Sequence, residues 1–270
     1  MITKAIIPVA GWGTRMLPIT KAIEKCMLPI GTRPIVDYVV QDCIAAGIKD
    51  IYFIVGEQST QIQNYYRSNI QLKDYLIRQG KEDKLPLIAP IEGVSFHFIV
   101  QPSQGKYGTA VPVGLASELI DEGESAVVLM GDDFVYNTDG TNEVERLIQA
   151  AGSGGAMLGV NVPRDAVAKY GVLQLDQEGN YRRIVEKPSV DEAPSTLINI
   201  SKYVLPKVAI DAAATIPANP ARGEYEITDV INNYVTNGGQ VKVVEAQGEY
   251  LDGGSVEGWL HANNVVCGGE

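Results

Sequence analysis

In the first half of the chain, short runs of Val, Ile and other apolar residues alternate with longer segments whose apolar residues recur every three or four positions. Near-continuous apolar runs are typical of parallel strands buried on both faces, and the longer period predicts amphipathic helices. Pro34 is suited to begin a helix and Gly47 to end one. The predicted strands are 4–9, 50–56, 95–100 and 125–130, and the predicted helices are 34–47 and 108–120, with a polar excursion that includes a helix over 58–90.

The second half has shorter apolar runs that lie closer together. We therefore predict an α/β fold with a doubly wound, mostly parallel, Rossmann-like sheet and a smaller, β-rich second half. The expected division is 1–138, 139–254 and a C-terminal helix in 255–270, all within one compact domain. In this second half the predicted strands are 156–162, 171–175, 182–185, 197–204 and 241–245, and the predicted helices are 141–151, 226–237 and 255–266.

Composition narrows the possible functions of the 270 residues. A net charge of −11 argues against binding to nucleic acid or to an anionic membrane surface. The three cysteines have no CxxC spacing and there are only two histidines, which disfavours a disulfide framework, a zinc site and a His base. No apolar run reaches the length of a membrane span and no secretion signal is evident, so a cytoplasmic protein is expected.

The glycine turn after the first predicted strand, Gly11-Trp12-Gly13-Thr14-Arg15, carries the main chemical signal. Glycines let backbone N–H groups approach anionic oxygens, and basic side chains add full charge. Residues 1–33 hold five basic residues and one acidic residue in an otherwise acidic chain, which favours a phosphate site. The alternative to a phosphate site is a tight turn in which Arg15 lies on the surface. Lys25 would then be an ordinary solvated surface lysine. Met16 stands where a dinucleotide-binding turn needs its third glycine, which disfavours a dehydrogenase.

Three acidic motifs lie later in the chain. Asp132, in Gly131-Asp132-Asp133, follows an apolar strand. A carboxylate at the end of a strand is a common ligand of the Mg²⁺ that accompanies nucleotide phosphates. Asp252 would supply a second carboxylate, and Glu186-Lys187-Pro188 pairs an acid suited to sugar hydroxyls with a base suited to phosphate. Each motif taken alone has a simpler explanation, which is a turn for Asp132, a loop for Asp252 and a charged strand end for Glu186-Lys187-Pro188. In a doubly wound sheet, the glycine turn and Asp132 would both lie at the carboxyl edge, so we expect them to be close together.

Taken together and in this order, these motifs resemble the sugar-1-phosphate nucleotidyltransferase family over essentially the whole chain. The spacer 17–24 and the excursion 58–90 are similar to its UTP–glucose-1-phosphate uridylyltransferases, whereas 222–229 is as similar to its thymidylyltransferases. Trp12 departs from the small or aliphatic residue common there, and Ser201 from a glycine. The matching pieces are Gly11 to Arg15, Lys25 with Leu28-Pro29, Gln101 to Gly108, Gly131-Asp132, Tyr170-Gly171-Val172, Glu186-Lys187-Pro188 and Asp252.

The resemblance implies Mg²⁺-dependent transfer from UTP to glucose 1-phosphate, which yields UDP-glucose and pyrophosphate. It makes 1–138 the nucleotide-binding half and 139–254 the sugar-phosphate-binding half, in a homodimer or homotetramer. Use of dTTP, and a non-catalytic sugar-nucleotide sensor, remain alternatives. By resemblance, the catalytic residues are Arg15, Lys25 and Lys187, the nucleotide is bound by Ala10, Gly11, Gly13, Thr14, Gln101 and Gly108, the sugar by Gly171 and Glu186, and Mg²⁺ by Asp132 and Asp252.

Overall fold

The computed structural model describes residues 1–268, in which strands and helices alternate as the apolar pattern predicts. The helices are α1 (Ile35–Ala45), α2 (Gln61–Tyr66), α3 (Ile70–Arg78), α4 (Ala110–Leu115), α5 (Glu143–Ala151), α6 (Lys207–Thr215), α7 (Ile227–Thr236) and α8 (Val256–Gly268). The strands are β1 (Lys4–Pro8), β2 (Pro29–Ile30), β3 (Arg33–Pro34), β4 (Asp50–Gly56), β5 (Ser95–Gln101), β6 (Ser125–Leu129), β7 (Asp133–Tyr136), β8 (Gly155–Asn161), β9 (Gly171–Leu175), β10 (Tyr181–Glu186), β11 (Leu197–Pro206), β12 (Val241–Glu245) and β13 (Glu249–Asp252).

One sheet of nine strands runs through the described residues in the order β10-β9-β11-β6-β1-β4-β5, with β8 attached to β11 and β12 attached to β8. The strands β6, β1, β4 and β5 are parallel, with Ala5 opposite both Ile51 and Val127. From β11 onward most pairings are antiparallel, and only β12 and β8 are parallel. The predicted α/β sheet is thus confirmed, with its parallel part in the first half.

Helices cover both faces of the sheet. Alternation along β1 sends Ala5 and Ile7 into one core cluster, shared with α1, and Ile6 into the other, shared with α4, α6 and α7. All three β1 side chains are fully buried. Burial on both faces explains why this strand is a continuous apolar run, and it confirms the doubly wound arrangement.

Several element bounds differ from the sequence prediction. The helix predicted at 108–120 is the shorter α4, where Gly114 packs so closely that an added Cβ would lie 2.7 Å from the Cα of Ala214 in α6. The polar excursion forms α2, α3 and a 3₁₀ segment. The apolar pattern of the sequence does not predict α6 or β13. Positions 269 and 270 of the predicted C-terminal segment lie outside the described residues, and no helix within 1–268 has the length and apolarity that crossing a membrane requires.

Candidate functional site

The glycine turn follows β1 and brings the segment of Lys25 close to it. Gly13 has a φ of +62°, a conformation that glycine adopts without the steric cost of a side chain. An added Cβ would lie 2.9 Å from Cγ2 of Thr20 and 3.1 Å from Cβ of Lys25. The Thr20 hydroxyl also donates to the Gly13 carbonyl at 2.9 Å. The absence of a side chain at Gly13 therefore allows Lys25 to pack against the turn.

Glu24, which the sequence analysis did not single out, fixes the approach to Lys25. Its Oε1 accepts from the backbone N–H groups of Thr60 (2.9 Å) and Gln61 (2.8 Å), and its Oε2 accepts from the Ser59 hydroxyl (2.6 Å). These donors lie at the start of α2, where backbone N–H groups have no partner within the helix. The Gln61 side chain returns the contact, because its Oε1 accepts from the Glu24 N–H at 2.9 Å. Capping by a residue distant in sequence leaves no local motif, so sequence reasoning could not find it.

Asp132 and Asp252 are brought together by a short antiparallel pair of strands, β7 and β13. Asp252 pairs with Asp133, and the Gly253 N–H donates to the Asp132 carbonyl at 3.0 Å. A Cβ placed on Gly254 would lie 2.8 Å from Nη2 of Arg15, 2.8 Å from Oδ1 of Asp252 and 3.3 Å from Oδ2 of Asp132. The three charged groups therefore converge on one point.

Lys25 completes this group, because its ammonium forms an ion pair with the Asp132 carboxylate. The structure thus joins Arg15, Lys25, Asp132 and Asp252, four residues that the sequence assigned to the same chemistry. The two cations and two carboxylates balance in charge, which suits a site that receives a polyphosphate together with a divalent cation.

A cleft of about 370 Å³ opens over the carboxyl ends of β1, β4 and β5. Four residues of the predicted site line it, namely Ala10, Gly11, Lys25 and Gln101. Gly108 does not line the cleft, and a Cβ there would clash with the Tyr225 carbonyl oxygen. Gly105, Lys106 and Tyr107 of the same loop line the cleft in its place. Gly13 and Thr14 form the turn beside the cleft, with Thr14 beginning a 3₁₀ segment.

Gly171, Glu186 and Lys187 form a second group at the end of the β9–β10 hairpin. Gly171 pairs with Glu186, and a Cβ on Gly171 would lie 3.0 Å from Oε1 of Glu186. Lys187 has a φ of +46°, and its N–H donates to the Tyr170 carbonyl at 2.9 Å. Arg222, from the segment before α7, lies 3.5 Å from Oε2 of Glu186. The Glu186 carboxylate therefore lies beside the Arg222 guanidinium and next to Lys187 in the chain, a set of groups that suits a ligand with both hydroxyls and phosphate.

Comparison with known proteins agrees with this geometry. The model of a family described as nucleotidyl transferase matches residues 4–268. The chain belongs to this nucleotidyl transferase family. It is 39% identical to a Methanocaldococcus jannaschii protein provisionally named a UTP–glucose-1-phosphate uridylyltransferase, over 100% of this chain and 94% of that one.

Solved structures give the same result. A UTP-bound UGPase from Acinetobacter baumannii superposes with a TM-score of 0.88 at 30% identity, covering 98% of this chain and 93% of that one. A UDP-glucose pyrophosphorylase in complex with UDP-glucose has a TM-score of 0.83 at 26% identity and covers 100% of both chains. The family resemblance stated from the motifs is therefore confirmed over the whole sheet.

The residues of this family member fit the Mg²⁺ that the resemblance implies. Within residues 1–268 no three His, Cys, Asp or Glu side chains gather as a ready-made metal site. Mg²⁺ bound with nucleotides commonly needs only one or two carboxylates, because water and phosphate oxygens supply the other ligands. Asp132 and Asp252 offer that number, and both are hard oxygen donors.

Next to Asp132, a buried ion pair anchors the start of β7. Asp133 and Lys202 are 7% and 5% exposed. The Lys202 ammonium donates to Oδ1 of Asp133 and to the Asp133 backbone carbonyl, the latter at 3.0 Å, while the Tyr250 hydroxyl donates to Oδ2 at 2.9 Å. Burial raises the pKa of Asp133 to about 6, and the Lys202 charge opposes that rise. In the sequence, Asp133 stands only as part of a turn motif, and no pattern marks Lys202.

Asp42 in α1 makes the stability of the protein depend on pH. Burial raises its pKa from 3.8 to about 6, Lys202 opposes the rise and Glu143 adds to it. Between these values the folded state binds more protons than the unfolded chain, so stability increases as the pH falls from 7 towards 4. We expect Asp42→Asn to raise the free energy of unfolding by about 1–3 kcal/mol at pH 7.5 and by almost nothing near pH 4.

Urea denaturation at several pH values measures this effect. Asp74→Asn, at an exposed position of α3, is the matched control and is expected to change stability little at any pH. A gain for Asp42→Asn that is equally large at pH 4 and pH 7.5 would contradict the electrostatic explanation.

Proposed function

We propose that the protein is a UTP–glucose-1-phosphate uridylyltransferase, which converts UTP and glucose 1-phosphate to UDP-glucose and pyrophosphate. The observation that carries the proposal is the convergence of Arg15, Lys25, Asp132 and Asp252 beside the cleft at the carboxyl ends of β1, β4 and β5. In open α/β sheets, ligands bind at this edge. The relatives support the choice of substrates, because one is named for this reaction, one was solved with UTP and one with UDP-glucose.

The chemistry needs charge neutralisation more than proton transfer. A phosphate oxygen of the sugar phosphate attacks the α-phosphorus of UTP, the bond to the β-phosphate bridging oxygen breaks, and pyrophosphate leaves with the electron pair. The attacking oxygen is already anionic at neutral pH, so no general base is required. Two anions must approach one another, and positioning with electrostatic stabilisation supplies the rate. Mg²⁺ held by Asp132 and Asp252 would reduce the charge on the nucleotide phosphates.

Each basic residue has a distinct proposed partner. Arg15, beside both carboxylates, would hold the β- and γ-phosphates with its planar fork of donors. Lys25 would leave its ion pair with Asp132 to bind the α-phosphate or the departing pyrophosphate. Its backbone is held in place by the contacts of Glu24 with the start of α2. Gly13 and Thr14 would contribute backbone N–H groups near these phosphates.

The remaining site residues divide between nucleobase and sugar. Ala10, Gly11 and Gln101 line the cleft and would read the edge of the base. Gly108 would act indirectly, because it packs the loop 101–108, here called the base loop, against Tyr225. Glu186 and the Gly171 backbone would bind sugar hydroxyls, and Lys187 the attacking phosphate. In this proposal 1–138 binds the nucleotide and 139–254 the sugar phosphate, and a cytoplasmic homodimer or homotetramer remains the expectation.

Use of dTTP is a second candidate because the segment that resembles thymidylyltransferases lies directly on the base loop. The Tyr225 N–H donates to the Tyr107 carbonyl, and the Ala110 N–H donates to the Tyr225 carbonyl, both at 2.9 Å. The hydroxyl of Thr109 accepts from the Ile227 N–H at 2.9 Å. The segment 222–229 can therefore change the shape of the base pocket.

Pyrophosphate release with glucose 1-phosphate and Mg²⁺, measured in parallel with UTP, dTTP, CTP, ATP and GTP, decides between the two. The proposal predicts that UTP gives the highest kcat/KM. A preference for dTTP would transfer the assignment to the thymidylyltransferases. Nucleotide binding without turnover, for any hexose 1-phosphate, would favour the non-catalytic sensor.

Lys187→Ala is expected to raise the KM for glucose 1-phosphate and to lower kcat, with kcat/KM reduced about 10- to 100-fold, because one charge-assisted contact to the attacking phosphate is lost. UTP binding, measured by calorimetry, should be unchanged. Lys73→Ala, at an exposed position of α3, controls for the loss of a positive charge. Equal losses of UTP affinity and turnover in Lys187→Ala would contradict the assignment of this residue to the sugar phosphate.

A further inference from the structure

Two large aromatic side chains are exposed in the cleft. Trp12 is 67% exposed and Tyr107 is 57% exposed, and both line the cleft that also contains Gly11 and Gln101. A single exposed aromatic residue on a protein surface needs no explanation. Two of them in one concave site, among a few polar groups, have the composition of a pocket for a flat, partly apolar ligand.

The topology places the two loops that carry these rings on either side of the loop that follows β4. Trp12 follows β1 and Tyr107 follows β5, while β4 lies between those two strands in the sheet. The loop after β4, which also lines the cleft, therefore separates the two aromatic loops. A planar ligand that enters over β4 would lie between the two loops that carry Trp12 and Tyr107.

The backbones that carry these side chains are fixed, although the rings are exposed. Next to Trp12, the Gly13 carbonyl accepts from the Met16 N–H and the Thr20 hydroxyl, both at 2.9 Å. The Tyr107 carbonyl accepts from the Tyr225 N–H, and the Lys106 ammonium lies 5.1 Å from the centre of the Tyr225 ring. Preorganised loops with exposed rings bind a ligand at a lower entropic cost than mobile loops do.

Charge distinguishes the two parts of the site. The phosphates have their partners at Arg15, Lys25 and the two aspartates, where four charged groups converge. Trp12 and Tyr107 offer large aromatic faces, which suit a flat ligand better than a phosphate. Among the parts of a nucleotide, the base is the planar and uncharged one, and aromatic side chains stack on it.

We propose that Trp12 and Tyr107 form an aromatic clamp that stacks on the nucleobase, with Trp12 the residue that determines most of the affinity for the base. The proposal rests on the proposed function and extends it, because it assigns base binding to side chains as well as to the Gln101 region. Stacking accepts any flat base, so the clamp supplies affinity while hydrogen bonds from the Gln101 region choose between bases.

The chain allows a direct optical test because it contains only two tryptophans, Trp12 and Trp259. Trp259 lies on α8, where its indole N–H donates to the Pro29 carbonyl at 2.8 Å, and it does not line the cleft. In Trp259→Phe, all tryptophan fluorescence comes from Trp12. We would titrate this protein with UTP and with inorganic tripolyphosphate, each with Mg²⁺ and with free N-acetyltryptophanamide as an inner-filter control.

UTP should quench or shift the Trp12 emission, whereas tripolyphosphate, which has the charges but no base, should bind without that change. Trp12→Ala should raise the Kd for UTP about 10-fold and leave the Kd for tripolyphosphate within about 2-fold, both measured by calorimetry. Trp12→Phe should retain much of the affinity because it keeps a π-face. The same response to both ligands, no response to UTP that calorimetry shows to be bound, or equal losses of affinity for both ligands would each overturn the clamp.

Pyrophosphate release by Trp259→Phe with UTP and glucose 1-phosphate separates this inference from the proposed function. Turnover without an optical response to UTP removes the clamp and leaves the function standing. An optical response specific to UTP without turnover for any sugar phosphate removes the function and leaves the clamp standing.

Discussion

Asp132→Asn is expected to lower the rate of pyrophosphate release at least about 100-fold, because it deletes a main electrostatic contact of the reaction centre. Asparagine keeps the size of the side chain but loses the charge that balances Lys25 and that would hold Mg²⁺. The Asp132 carbonyl, which accepts from Gly253, is unchanged by the substitution, so the strand pairing that brings Asp252 close should persist. Steady-state kinetics with saturating Mg²⁺ measure the effect.

Asp139→Asn is the matched control, because Asp139 is an exposed carboxylate in the loop that follows β7. Its side chain accepts from the Thr141 N–H at 2.9 Å, a contact that the asparagine oxygen can also make. It should retain wild-type turnover. Near-wild-type activity of Asp132→Asn, with a far-ultraviolet circular dichroism spectrum like that of the wild type, would remove Asp132 from the proposed metal site.

Lys202→Met is expected to lower the free energy of unfolding by about 3–5 kcal/mol at pH 7.5, since removing one partner of a buried ion pair leaves the other charge uncompensated. The total stability of a domain is commonly about 5–15 kcal/mol, so this is a large fraction. Asp133 would lose its cation, and its backbone carbonyl would lose a donor, while Tyr250 alone remained. Urea denaturation monitored by circular dichroism measures the loss.

Two further variants identify the cause. Lys84→Met removes an exposed lysine whose partner Asp83 is also exposed, and it should change stability by less than about 1 kcal/mol. Asp133→Asn combined with Lys202→Met should recover part of the loss, because no buried charge is then left unpaired. A loss below about 1 kcal/mol for Lys202→Met would mean that the pair does not anchor β7.

The sequence predicts the first half of this protein well because its strands are buried on both faces and read as continuous apolar runs. The expected closeness of the glycine turn and Asp132 follows from the rule that ligands bind at the carboxyl edge of such sheets. In the structure, Arg15 and Asp132 reach the same point near Gly254, and Lys25 pairs with Asp132. The order of the motifs along the chain indicates the nucleotidyl transferase family.

Long-range contacts between short elements could not be predicted in the same way. The strands β7 and β13 have four residues each, too few for a reliable alternating pattern, yet their pairing is what joins Asp252 to Asp132. Glu24 acts on the start of α2, more than thirty residues away in sequence. Gly108 has a positive φ and packs closely against Tyr225, a contact that the sequence does not reveal either. Such roles depend on partners that only the folded chain brings together.

The most direct test of the central claim is product analysis of the purified protein with UTP, glucose 1-phosphate and Mg²⁺, in which UDP-glucose and pyrophosphate are quantified in the same samples. We predict that both products form in a one-to-one ratio, only when both substrates are present, and that UDP-glucose with pyrophosphate regenerates UTP. Pyrophosphate without UDP-glucose, or neither product while UTP is bound, would contradict the proposed transfer.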